Sequence, residues 1–221
     1  MKLPLFIIIT SVSLLTLTNG QENTGTFTSI EGQIQSNAKS MANACVSIQS
    51  TNGKWGSGVI VSETGLIFSA AHVYSELGED VTVFMSNGNQ TSAGVILFDR
   101  EFDIAVLKLD SSHQVIPAKV GDVSSIENGN TLIAAGHASG YNSERRSPLR
   151  VGFGFHAEQK GLIYTTCRIT VGDSGGPLYD EVGVLRAIHH SMDGKGKYSS
   201  HVPVQRFFEL WPELTETVAT V

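Results

Sequence analysis

A serine, a histidine and an aspartate in this chain each stand in surroundings suited to acyl-transfer chemistry. Ser174 lies within Gly172-Asp173-Ser174-Gly175-Gly176-Pro177-Leu178. Glycines on both sides let the backbone turn tightly around a hydroxyl, so two main-chain N–H groups can point at one spot beside it. His72 follows two alanines in Ser69-Ala70-Ala71-His72-Val73. Such small neighbours leave room for an imidazole to face a cleft. Asp103 heads the apolar run Ile104-Ala105-Val106-Leu107. A carboxylate there is costly unless it accepts hydrogen bonds, and an imidazole N–H is a suitable donor. Asp99 and Glu101 are nearby alternatives, but they sit among charges and suit a solvated surface. Taken singly, these residues fit a plain Gly-rich turn or a structural histidine at a strand end. Together they supply a nucleophile, a base and an orienting acid, the parts that hydrolysis through an acyl-enzyme requires.

These side chains need short elements to carry them. Cys45–Ile48, Gly58–Val61, Leu66–Ser69, Val81–Phe84, Ala93–Phe98 and Ile104–Leu109 read as strands. So do Thr131–Ala135, Gly161–Thr166, Gly176–Tyr179 and Val184–Ile188. Asn52-Gly53, Glu63-Thr64-Gly65 and Asn87-Gly88 mark turns between them. Many short strands joined by turns predict an all-β sandwich or barrel. Ile30, Ile34, Ala38 and Met41 recur at helical spacing, which predicts a short helix over 30–43, after a polar, irregular stretch at 21–29. Pro203 opens a second helix with Phe207, Leu210 and Trp211 on one face, and Pro212 closes it. The segment 110–128 suits a junction between two lobes.

Composition narrows the function classes. Of 221 residues, 41% are apolar and 16% charged, enough to bury a core. A net charge of −6 without a basic cluster argues against nucleic acid and against an anionic membrane surface. Lys2, the apolar run Leu3–Leu17 and the small residues Thr18-Asn19-Gly20 have the layout of an export signal, with cleavage expected after Gly20. No other segment is apolar enough to cross a bilayer. Export would permit a bridge between Cys45 and Cys167, and two buried free thiols fit equally well. His113, His137, His156 and His190 have no metal-ligand spacing and read as surface or structural residues. No metal or cofactor is expected.

The four segments Gly56-Ser57-Gly58-Val59-Ile60-Val61, Ala71-His72-Val73, Asp103-Ile104-Ala105-Val106-Leu107-Lys108 and Gly172–Leu178 together resemble the trypsin-like serine peptidases of the chymotrypsin fold. Within that superfamily the resemblance is to HtrA-type compact peptidase domains, and it runs from about Cys45 to Phe207. It implies two six-stranded antiparallel β-barrels with a short C-terminal helix and an active site in the cleft between them. The peptidase domain would span 45–221, with barrels at about 45–115 and 125–205, behind an N-terminal extension at 21–44. It also implies Ser174 as nucleophile, His72 as general base and then acid, Asp103 as orienting carboxylate, and the N–H groups of Gly172 and Ser174 as the oxyanion hole. The partner would be a protein or peptide substrate.

The chain also departs from its relatives. It stops soon after the last motif, so the PDZ domain common in HtrA-type enzymes is not expected, and the oligomeric state stays open. Those relatives commonly have asparagine before the serine, where this chain has Asp173. No Ile-Val-Gly-Gly-like segment supplies a new N-terminus for it, so Asp173 needs another partner, and Arg168 is a candidate. The pair Ile188-His189 resembles that of glutamyl endopeptidases, and His201 falls where some of those enzymes place a second histidine. With Arg168, these residues would favour an acidic residue before the scissile bond. The plainer reading makes them ordinary strand residues. The alternatives to an active enzyme are a protease-fold binding protein that has lost its chemistry and a latent form awaiting an activator.

Overall fold

The computed structural model describes residues 23–110, 115–122, 124, 126–156, 161–218 and 220–221. The expected export signal at 1–20 and His113 lie outside these residues. Helix α1 (Asn23–Ala44) starts earlier than its apolar spacing indicates. Once a docked segment has nucleated a helix, polar residues extend it at one hydrogen bond each. The docked part is its C-terminal half, where Met41 and Ala44 are buried and the Met41 carbonyl accepts the Tyr179 hydroxyl at 3.2 Å.

Thirteen strands follow among the described residues. The first six are β1 (Cys45–Gln49), β2 (Trp55–Ile60), β3 (Leu66–Ser69), β4 (Asp80–Phe84), β5 (Gln90–Asp99) and β6 (Ile104–Leu109). They close into a barrel in the order β1-β2-β3-β6-β5-β4, with β4 returning to β1. After the short β7 (Lys119–Val120) come β8 (Thr131–Ala135), β9 (Leu149–His156), β10 (Ile163–Thr165), β11 (Pro177–Asp180), β12 (Val184–Met192) and β13 (Ser199–Pro203). These run β11-β8-β9-β10-β13-β12, and the ring closes because β11 also pairs with β12. Strand β7 adds to β12 in parallel. The fold is therefore the two six-stranded antiparallel barrels of the chymotrypsin type.

Each barrel has an interior cluster, and a third cluster runs through the face between them. Val59, Phe68 and Ile104 of the first barrel meet Ile133, Leu185 and Ile188 of the second. Helix α2 (Gln205–Leu210) caps this face. Its Phe207 ring stacks on Phe68 at 4.1 Å between centroids. Leu210 is exposed, so the buried face is made by Phe207 with Trp211 beside it. Phe68 lies four residues before His72, so the C-terminal segment buttresses the strand that delivers the histidine. Cys45 and Cys167 are both buried and unpaired. Burial pushes the Cys45 thiol up to about 12, which makes it a packing residue. Among the described residues, no helix is long and apolar enough to cross a membrane.

Candidate active site

Strand β3 ends at Ser69, and a single helical turn, Ala71–Val73, turns His72 out of the barrel. Ala70 and Ala71 are completely buried beneath it, while the His72 side chain is 46% exposed. Asp103 sits at the head of β6 with φ +57°, a left-handed conformation that aspartate tolerates better than most residues. Its Oδ1 accepts the His72 main-chain N–H at 2.8 Å. Its Oδ2 accepts His72 Nδ1–H at 2.8 Å and His190 Nδ1–H at 2.5 Å. Burial alone would raise the Asp103 carboxyl, but the hydrogen bonds from His190 and then His72 outweigh it and hold the group down at about 2. The carboxylate is therefore ionised at neutral pH, and the tautomer it imposes leaves His72 Nε2 free to take a proton.

Ser174 is half-buried on a loop that leads into β11. It opens, with His72, on a cavity of about 550 Å³ whose walls include Trp55, Val73 and Val171. No hydrogen bond joins the His72 ring to the Ser174 hydroxyl among the described residues; such contacts often tighten only when substrate binds. Ser57 of β2 grips the loop. Its N–H donates to Ser174 O at 2.7 Å, and its Oγ–H donates to Gly172 O at 2.7 Å. On the other side, Val171 O accepts the Ser139 N–H at 2.7 Å. Carbonyl and N–H point opposite ways in a trans peptide, so this bond fixes the direction of the Gly172 N–H. Among the described residues, the N–H groups of Gly172 and Ser174 donate to no protein acceptor. Gly172 has φ +94°, and a Cβ there would lie 2.6 Å from His137 O and from Ser139 N.

Asp173 is fully buried, and its partner is Arg150, not Arg168. The guanidinium binds both carboxylate oxygens, at 2.6 and 2.8 Å, and Thr170 N–H adds a third bond at 2.8 Å. Arg168 is exposed and contributes only its carbonyl, which accepts Arg150 Nη1–H at 3.0 Å. Arg150 comes from β9, a strand with its pattern turned inside out. Val151 and Phe153 face solvent, while Gly152 and Gly154 are buried. A Cβ on Gly152 would stand 2.5 Å from Cys167 N, and one on Gly154 2.5 Å from Leu132 Cδ1. The barrel wall here has room only for glycine and for an arginine that turns toward the loop carrying Ser174.

Residues 56–188, more than half of the chain, match the trypsin-like peptidase domain. The chain belongs to the trypsin-like peptidase family. A Do-like HtrA serine protease of Lactobacillus helveticus is 34% identical over 161 residues, which cover 65% of this chain and 38% of that one. A DegP-like protein of Halomonas elongata, named as a periplasmic serine endoprotease, is 30% identical over 138 residues, 61% of this chain and 28% of that one. This peptidase chain thus spans well under half the length of these two curated relatives. The crystal structure of a serine endoprotease from Yersinia pestis superposes with a TM-score of 0.71 at 23% identity, over 85% of this chain and 66% of that one. That likeness shows the shared fold.

Within this peptidase fold, the residues expected to read an acidic side chain are placed elsewhere. Arg168, His189 and His201 do not line the cavity that holds Ser174. His189 and His201 are fully buried and bonded to each other, Nδ1 to Nδ1, at 2.9 Å. His189 Nε2 donates to Ala135 O at 3.1 Å, so its Nδ1 accepts from His201, whose Nε2 in turn takes the Thr165 hydroxyl at 2.8 Å. No nitrogen is left for a substrate. Burial pushes His189 down to about 3 and His201 well below its ordinary range, so both are neutral. His190, expected as a surface or structural residue, bonds the Asp103 carboxylate. His72, Asp103 and His190 also offer ligand atoms within 4.8 Å of one another. Their separations of 2.5 and 2.8 Å are those of shared protons. Two ligands held about 2.0 Å from a tetrahedral zinc would stand roughly 3.3 Å apart.

Two outcomes follow from these buried charges and rings. Arg150→Met leaves the buried Asp173 carboxyl without its cation, which should cost ~3–5 kcal/mol in urea unfolding. Adding Asp173→Asn should recover ~2 kcal/mol or more of that loss, whereas an Arg150→Met protein as stable as the parent would show the pair to be idle. His189, His201 and His137 all have folded-state affinities for protons below those of a free histidine. Their contribution to stability is complete above about pH 6.5 and is lost as pH falls, because only the unfolded chain takes up the protons. Stability should therefore drop by more than ~1.4 kcal/mol per pH unit between pH 6 and 5, the slope set by one such group. Denaturation midpoints that stay level over that range would contradict the neutral assignment.

Proposed function

We propose that the chain is an exported serine endopeptidase that works through Ser174, His72 and Asp103. Ser174 Oγ attacks the scissile carbonyl as His72 Nε2 takes its proton. The N–H groups of Gly172 and Ser174 receive the negative oxygen, and the protonated ring then gives its proton to the leaving amine. Water repeats the sequence on the acyl-enzyme. Asp103 keeps the ring in the required tautomer and stabilises its protonated form. No bound metal or cofactor enters these steps.

One observation carries the reading: a buried carboxylate fixes the His72 tautomer while His72, Gly172 and Ser174 line a single cavity, and among the described residues the N–H groups of Gly172 and Ser174 have no protein acceptor. A binding protein that had abandoned catalysis would have no use for a buried, ionised Asp103 held against an exposed imidazole. The Arg150–Asp173 pair bears on latency, because the aspartate beside the nucleophile already has its cation within the folded chain. The export layout at 1–20 and a relative named as periplasmic support a secreted or periplasmic location.

A preference for acidic residues has lost its proposed donors, since the two histidines bond each other. The cavity walls at Trp55, Val73 and Val171 suit an apolar side chain next to the cut. A peptide library incubated with the chain lacking residues 1–20 should be cleaved, and Ser174→Ala should abolish cleavage by a factor of ~10⁴ or more. In a peptide series varied before the cut, Glu should gain nothing over Leu. A strong Glu preference would return His189 and His201 to the pocket, and a Ser174→Ala protein with undiminished turnover would end the proposal.

A further inference from the structure

Asp103 carries one donor more than His72 supplies. His190 reaches it from β12, 87 residues along the chain, and its bond to Oδ2 is shorter than that of His72. The two rings arrive from different barrels, with centroids 6.5 Å apart and planes crossed at 76°. One carboxylate oxygen is therefore shared by two imidazoles, in a spot where Asp103 has little contact with water. Hydrogen bonds to an ionised group strengthen in such surroundings. The left-handed backbone at Asp103 persists because these bonds hold it from both sides.

We propose that His190 is a positioning residue for Asp103: by giving its Nδ1–H to the oxygen that also receives His72 Nδ1–H, it fixes the rotation of the carboxylate from the second barrel and draws off part of its charge. The proposal rests on the reading of Ser174, His72 and Asp103 as the catalytic set. His190 does not line the cavity that holds Ser174, and among the described residues no hydrogen bond joins the two. It lies instead on a separate cleft with Glu101 and Arg206.

Two effects follow, and they act on different quantities. Fixing the carboxylate keeps the His72 ring aligned, which governs turnover and leaves substrate binding alone. Drawing off charge weakens the support that Asp103 gives to a protonated His72. A proton on His190 would add a like charge beside it. The other charged or titratable groups facing His190 are buried His201 on β13 and, across the cleft, Glu101 and Arg206. Arg206 is already paired with Glu209 and stacked over Phe102, so Asp103 is the group that His190 serves.

The test compares His190→Ala with His190→Asn, whose amide nitrogen can donate from the place of Nδ1 but cannot take up a proton. His190→Ala should lower kcat by about tenfold or more with KM within about twofold. The acid limb of kcat/KM should move up by roughly half to one pH unit, because the support for protonated His72 is no longer shared. His190→Asn, which again shares the carboxylate, should restore kcat to within about threefold of the parent and bring the acid limb back toward the parental position. Independently of turnover, proton NMR of the Ser174→Ala protein should show two downfield ring N–H signals that both vanish in Asp103→Asn, and one that vanishes in His190→Ala. A folded His190→Ala protein with parental kcat and pH profile would overturn the proposal, as would an Asn variant no better than Ala. If the parent neither cleaves peptides nor has a reactive serine, the catalytic reading has failed instead. The paired NMR signals then still report whether His190 holds Asp103.

Discussion

Ser57 fixes the two barrels to each other at the point where the chemistry is set. From β2 it donates its N–H to Ser174 O and its hydroxyl to Gly172 O, and that hydroxyl accepts the His137 N–H at 2.9 Å. Its own carbonyl accepts Ser69 Oγ–H at 2.8 Å, at the end of the strand that leads to His72. The residue is completely buried, so every one of these groups is held away from water. A hydrogen bond of this kind adds about 1 kcal/mol net, but a buried group left without one costs about 1–3 kcal/mol. The junction therefore has little tolerance for sliding. Gly175 shows how close the barrels come: a Cβ there would stand 2.3 Å from Ser57 O and from Ser69 Oγ.

Three of the four buried carboxylates among the described residues show how burial alone fails to mark a reactive group. Glu79 is held at about 2 because Ser50, Ser75 and Thr51 donate to it despite the cost of desolvation. It ties the turn after β1 to the loop beyond His72 and faces no cavity that holds Ser174. Asp173 is bound to Arg150 and holds the loop that carries Ser174. Asp103 alone turns its oxygens to an imidazole that remains open to solvent on its other side. What separates the three is the partner each one holds.

The sequence reveals the site where chemistry constrains neighbours along the chain. A serine among glycines, a histidine after two alanines and an acid heading an apolar run are local patterns; in the structure His72 and Ser174 line one cavity and Asp103 bonds His72. The two-barrel fold was legible only through the family resemblance carried by the four motifs, because most strands are buried along nearly their whole length and their pattern by itself predicts no more than a sandwich or barrel. Strand β9 escaped because its apolar side chains face outward, and Arg150 escaped with it. Asp173 could then be matched only to a nearer arginine in sequence. His190 gave no local sign at all, because its role depends on β12 passing the head of β6. The His189–His201 pair misled in the opposite way: a family-like spacing suggested a pocket, but β12 and β13 pack the two rings against each other within the barrel.

The most direct measurement of the central claim is a mass-spectrometric map of the protein after reaction with a fluorophosphonate, which bonds only to a serine whose proton an adjacent base removes. One adduct on the peptide carrying Gly172–Leu178, located at Ser174 and lost in His72→Ala, is the expected result. An unmodified Ser174 in folded protein, or labelling that is indifferent to His72, would mean that the hydroxyl and the imidazole do not act together.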